Sequence, residues 1–132
     1  MNEVSIDDKK YLESEGYKKF KQDNPVYGYL RVRAFSASEA VPISNLRVKV
    51  SKIIDNTKVI FFNGLTDSSG TIKDITLPTR IISNDNLVVP QFTIYDLEAT
   101  KEKVNLSYKV NIYEGMMSVQ NINVVPGDNT WL

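Results

Sequence analysis

The chain predicts an all-β fold, a seven-stranded antiparallel β-sandwich behind a short N-terminal helical lead. Three observations predict it. From Tyr27 onward apolar and polar residues alternate with a period of two, as in strands with one buried and one wet face. The alternating runs are short and are divided by Asp, Asn, Gly and Pro. No helical pattern falls between them that could serve as the crossover of a parallel sheet. With 132 residues, the chain suits one core.

Residues 1–24 differ from the rest. Lys9, Lys10, Lys18, Lys19 and Lys21 stand against Glu3, Asp7, Asp8, Glu13, Glu15 and Asp23. Ser5-Ile6-Asp7-Asp8 reads as a helix cap followed by a carboxylate, Gly16 interrupts the pattern and Asn24-Pro25 ends it. Leu12, Tyr17 and Phe20 form a loose apolar stripe. Such a helix is marginal alone and must dock on its own domain or on a partner. The domain division expected is therefore 1–24 as a charged helical segment and 25–132 as the sandwich.

The strands follow in order. "YGYLRVRAF" sets Leu30, Val32 and Ala34 against Arg31, Arg33 and Phe35. "LRVKVSKII" sets Leu46, Val48 and Val50 against Arg47 and Lys49. Asp55-Asn56-Thr57 is a turn leading into "KVIFF". "TIKDITL", "QFTIYDLEA", "VNLSYKVNIY" and "SVQNINVV" complete the seven, with a polar loop at 80–87 after Pro78.

Composition narrows the function. Sixteen basic residues balance sixteen acidic ones, which argues against nucleic acid as a partner. The absence of cysteine removes disulfides, thiol nucleophiles and thiolate metal sites. The absence of histidine removes the commonest general base and metal ligand, so no catalytic residue, cofactor site or metal site is assigned and the chain is not expected to be an enzyme. No window is long and apolar enough for a membrane span. "MNEVSIDDKKYLESEG" has no apolar core of a signal peptide, so cytoplasmic synthesis is expected.

"FFNGLTDSSGTIKDITLP" (61–78) is the most motif-like stretch. A phosphate loop would need more glycines, a following lysine and a helix, and a strand follows instead. A calcium loop would need more ligands than Asp67 and Ser69. Thr66, Asp67 and Gly70 therefore read as a structural turn, with a cation contact as the alternative. The candidate binding face is Arg31, Arg33, Arg47, Lys49 and Tyr29. If the first two strands are neighbours, the four cations share an outward face that could meet an acidic protein or glycan, or simply solvent. Tyr27, Tyr29, Tyr95 and Tyr113 could anchor an interface or complete a core rim. The carboxylates Asp96 with Glu98 and Asp67 with Asp74 are not placed as a catalytic pair.

Ala40-Val41-Pro42-Ile43, Asn45-Leu46-Arg47-Val48, Thr66-Asp67-Ser68-Ser69-Gly70 and Leu77-Pro78 together resemble the signature of the carboxypeptidase regulatory-like domains, which are transthyretin-like (prealbumin-like) sandwiches. The resemblance covers roughly residues 27–126. "EGMMSVQNINVVPGD" is similar to the variant of spore-forming bacteria, found alone or at the N-terminus of spore cortex-lytic enzymes. "LEATKEKVNL" stands where relatives commonly carry Gly-Tyr. The resemblance implies a non-catalytic binding or accessory module of spore envelope or cortex assembly, incorporated into the spore. It would contact a protein partner, a second copy of itself or, less readily, peptidoglycan. The alternative is a structural component of a phage tail or tail-like particle.

Overall fold

The computed structural model describes residues 2–36, 41–82 and 91–124. In chain order the elements are β1 (Asn2–Ser5), α1 (Lys9–Leu12), α2 (Glu15–Asp23), β2 (Val26–Ser36), β3 (Arg47–Ile54), β4 (Thr57–Leu65), β5 (Thr71–Thr79), β6 (Thr93–Lys101), β7 (Val104–Ile112) and β8 (Met117–Val124). A five-stranded sheet, β1-β4-β3-β6-β7, faces a three-stranded sheet, β5-β2-β8. Inward residues of both sheets form one core, including Leu30 and Val32 of β2, Val48 and Val50 of β3, Leu77 of β5, Leu97 of β6 and Ile122 of β8. Burying each such side chain contributes roughly 1.5–3 kcal/mol before entropic losses.

The all-β sandwich matches the expectation, but the described residues form eight strands instead of seven. The addition is β1, which lies parallel to β4 with Asn2 opposite Thr57 and Ser5 opposite Ile60. Its four residues are too few to show a period, and its main-chain pairing carries no side-chain signature. β2 and β8 are also parallel, Tyr29 opposite Met117 and Arg33 opposite Asn121, so the sandwich is mixed and not wholly antiparallel. Of the polar loop expected at 80–87, residues 83–87 lie outside the described residues.

Two irregularities explain breaks in the alternation. Between Leu30–Ile75 and Val32–Ile72, β5 carries two residues where β2 carries one, so Lys73 and Asp74 are both exposed. Arg31 Nε donates to the Lys73 carbonyl at 3.0 Å. On β4, Val50 pairs with Phe62 and Ser51 with Ile60, leaving Phe61 extra. Phe61 and Phe62 thus both pack against the core. Pro78 does not close its strand. It lies within β5, opposite Tyr27, on an edge where no second neighbour needs its missing N–H.

The β3–β4 hairpin turns on Asp55 and Asn56, at φ 49° and 60°, the paired positive angles of a type I′ turn. Asp8, not Ser5, caps α1, accepting from the Lys10 and Tyr11 amides at 2.9 and 3.4 Å. Ser14 caps α2 by accepting from the Tyr17 amide at 3.2 Å. Gly16 lies within α2, where a Cβ would come 2.5 Å from Asp55 Oδ2. The break in the helical lead is therefore at Ser14. The nine-residue α2 is too short to persist alone. Phe20 anchors it, 5.6 Å from Phe61, which meets Tyr95 edge-on at 5.2 Å.

Tyr11 extends this aromatic row, 5.7 Å from Tyr17, but its buried hydroxyl has only the Ser14 side chain beside it and makes no hydrogen bond of good geometry among the described residues. Tyr11→Phe is expected to raise stability by about 1 kcal/mol, because it removes an uncompensated buried hydroxyl. Urea unfolding checks this, and a loss of similar size would contradict it.

Candidate functional site

The Thr66–Thr71 turn is built from internal bonds. Thr66 is buried, and its Oγ1 donates to the Ile43 carbonyl at 2.7 Å while accepting from the Leu46 amide at 3.0 Å. Asp67 Oδ1 accepts from the Ser69 amide at 2.9 Å, the Ser69 hydroxyl at 2.7 Å and the Thr71 amide at 3.0 Å. Gly70 takes φ +75°, and its carbonyl accepts from the Ala34 amide at 2.8 Å. The motif thus ties the start of β5 to β2, and the Ile43–Leu46 segment to the end of β4. Among the described residues, no group of three or more Asp, Glu, His or Cys is placed to hold a metal ion.

The Ser69 hydroxyl first, then the Thr71 amide, hold the Asp67 carboxyl below its ordinary value of 3.8. A depressed folded pKa gives a contribution that is complete above the unfolded pKa and is lost as pH falls through the lower, folded pKa. Asp67→Asn is therefore expected to flatten the acid limb of stability below about pH 4. Urea midpoints measured from acid to neutral pH check this. Parallel curves for the two proteins would contradict it.

The candidate cations do not share one face, because β2 and β3 belong to different sheets. Arg31 and Arg33 alternate with buried Leu30, Val32 and Ala34, and so project outward from the three-stranded sheet. Arg47 and Lys49 alternate with Val48 and Val50 and project from the opposite side of the sandwich. The tyrosines are also dispersed. Tyr95 is fully buried, its hydroxyl donating to the Pro78 carbonyl at 2.5 Å, and burial pushes that hydroxyl well above the ordinary tyrosine value. Lys21 Nζ donates to the Tyr27 hydroxyl at 2.9 Å, and Tyr113 packs 5.3 Å from Phe92.

Tyr29 stays with Arg31, Arg33 and Phe35 on the outer face of β2. Opposite them on β8 are Met117, Val119, Asn121 and Asn123. Arg33 lies 5.0 Å from the Phe35 ring centre. Val119 is 52% exposed and Met117 40%, and Met116 beside them is 55% exposed. A small depression of about 220 Å³ is lined by Arg33, Phe35, Asn121 and Asn123. The β8 members were missed from sequence, although a signal was present. Ile122 and Val124 point inward with Ser118 and Gln120, so Met117 and Val119 must point out.

The five-stranded sheet has a different outer surface. Lys58 pairs with Glu98 at 2.5 Å and with Glu3 at 4.0 Å, Lys49 pairs with Glu3 at 3.9 Å, and Lys109 pairs with Asp96. The Glu98 carboxylate beside Lys58 holds its ammonium above the usual lysine value. Arg47 donates to Asn63 Oδ1 at 2.6 Å. A depression of about 340 Å³ lies over Ser51, Lys58, Asp96, Glu98, Ser107 and Lys109. Its acids and bases are matched within the sheet, which leaves little net charge to recruit a ligand.

The chain matches solved structures across 76% of its length. The first is 5-hydroxyisourate hydrolase of Klebsiella pneumoniae, at TM-score 0.51 and 16% identity, covering 91% of that chain. The second is the TIE protein of Bacillus anthracis, at TM-score 0.53 and 16% identity. The fold is transthyretin-like. The transthyretin-like likeness concerns architecture alone at this identity, and the chain spans only 16% of the TIE protein. No family model and no curated protein matches the sequence. No helix among the described residues is long and apolar enough to cross a membrane.

Proposed function

We propose that this transthyretin-like sandwich is a non-catalytic binding module that engages an acidic protein surface through the outer face of β2 and β8. The observation that carries the reading is the register of Tyr29 with Met117, Arg31 with Val119, and Arg33 with Asn121, flanked by Phe35. Tyr, Phe, Met and Arg are the residue types enriched at protein interfaces, and Arg with aromatics supplies most binding hot spots. Asp74 is exposed on the neighbouring β5 bulge, and two guanidinium groups outweigh it, so the face prefers a negative partner. The resemblance of residues 114–128 to the spore-former variant supplies the setting, spore envelope or cortex assembly.

Two measurements test this reading. A tagged chain is used to capture its partner from sporulating cells, and the purified pair is titrated at low and high salt. Arg31→Ala with Arg33→Ala is expected to weaken binding tenfold or more at low salt. Arg47→Ala with Lys49→Ala, on the opposite face, is expected to leave it unchanged. Equal losses from the two pairs would overturn the surface assignment. Expression that stays flat through sporulation would overturn the setting.

A further inference from the structure

A second site lies at the end of the sandwich, away from the β2–β8 face. The C-cap of α2 (Asn24), β3 (Lys52), the residue after β5 (Arg80) and the start of β6 (Phe92, Thr93, Ile94) line an open cavity of about 230 Å³. Among the described residues, neither Lys52 nor Arg80 has a carboxylate oxygen within 4 Å. Asp96, the nearest acid acting on Lys52, is already paired with Lys109.

The acceptors and donors in the cavity are unequally used. Asn24 Oδ1 accepts from Thr93 Oγ1 at 2.5 Å, and the Thr79 hydroxyl, 3.2 Å from Thr93, donates to the Ile112 carbonyl at 2.6 Å. Thr93 thus spends its one hydroxyl hydrogen on the Asn24 amide oxygen. Asn24 Nδ2 spends one hydrogen on the Phe20 carbonyl at 2.9 Å, and Lys52 Nζ spends one on the Ile94 carbonyl at 2.9 Å. That leaves one amide hydrogen, two ammonium hydrogens and the guanidinium fork of Arg80 as donors. Burial and, less strongly, the charges of Arg80 and Lys109 pull Lys52 below the usual lysine value, against an opposing pull from Asp96. Two adjacent cations that repel each other in a partly buried cavity are stabilised by an anion carrying two charges.

The geometry points to a phosphate-type oxyanion site formed by Lys52, Arg80 and the Asn24 amide, with Phe92 as its apolar wall. The ligand class is a phosphate monoester or free phosphate, whose two charges match the two cations. The donors come from three separate elements, and their two cationic charges match a doubly charged phosphate group better than a singly charged carboxylate.

The test uses the full chain at fixed ionic strength, with inorganic phosphate, phosphoserine and acetate as probes and chloride as the reference. Phosphate is expected to raise Tm, by roughly 5 °C at ten times its dissociation constant and logarithmically with concentration beyond it. Phosphoserine exceeding phosphate identifies the monoester as the source, and the reverse identifies the free ion. In the absence of phosphate, Lys52→Met is expected to be at least as stable as the parent, because the repulsion is gone, and to lose the phosphate response. Should the variant fold poorly, amide chemical shifts of the unmodified chain serve instead, with Asn24, Thr93 and Ile94 moving together during the titration. A response to acetate equal to that of phosphate, a response surviving in Lys52→Met, or no saturable response at those amides would overturn the proposal.

Discussion

Gly70→Ala is expected to lower the free energy of unfolding by about 3 kcal/mol or more. Two costs combine. The backbone sits at φ +75°, where an L side chain is strained. A Cβ would also come 2.4 Å from the Ala34 carbonyl oxygen and 3.1 Å from the Ile43 nitrogen, neither of them the end of a flexible side chain. Relieving the clash would pull apart the contact between the turn and β2. Gly115 separates the two costs. It has φ +69°, but nothing lies within 4 Å of where its Cβ would stand. Gly115→Ala should cost only about 1 kcal/mol. Equal urea midpoints for the two variants would contradict the close-approach argument.

Thr66→Val is expected to cost about 3 kcal/mol, despite nearly equal volume. The hydroxyl serves the Ile43 carbonyl and the Leu46 amide at once, at a site 2% exposed. Valine would leave a buried donor and a buried acceptor unpaired, and water has little access to replace the bonds. Thr66→Ser keeps both bonds and removes one methyl group, so it should cost only about 1 kcal/mol. The contrast is measured by denaturant unfolding of both proteins. A serine variant as damaged as the valine one would move the cause from hydrogen bonding to packing.

These two residues show why much of the architecture was legible. Alternation in "YGYLRVRAF" and "LRVKVSKII" assigned Leu30, Val32, Val48 and Val50 to the core, because one wet face leaves a clear period of two. Asp67 and Gly70 were readable as a turn from their chemistry alone. Sheet membership was not readable. Period two says which side of its own strand a residue occupies and nothing about which strand lies beside it, so the four cations were assembled on a false adjacency. β1 escaped because a short parallel pairing is made by main-chain groups. The Lys52–Arg80 cavity escaped because its members come from α2, β3, the end of β5 and the start of β6, with no fixed spacing to mark them.

On the proposed function, the outer face of β2 and β8 meets the partner, and the turn and the ion-paired sheet opposite do not. A photoreactive residue placed in turn at positions 33, 119 and 107 tests it directly in sporulating cells. Positions 33 and 119 lie on the proposed face, and position 107 lies on the outer surface of the five-stranded sheet. Light-dependent adducts of one size at 33 and 119, and none at 107, are predicted. Adducts at 107 alone, or none at 33 and 119 while the protein is present and folded, would contradict the claim.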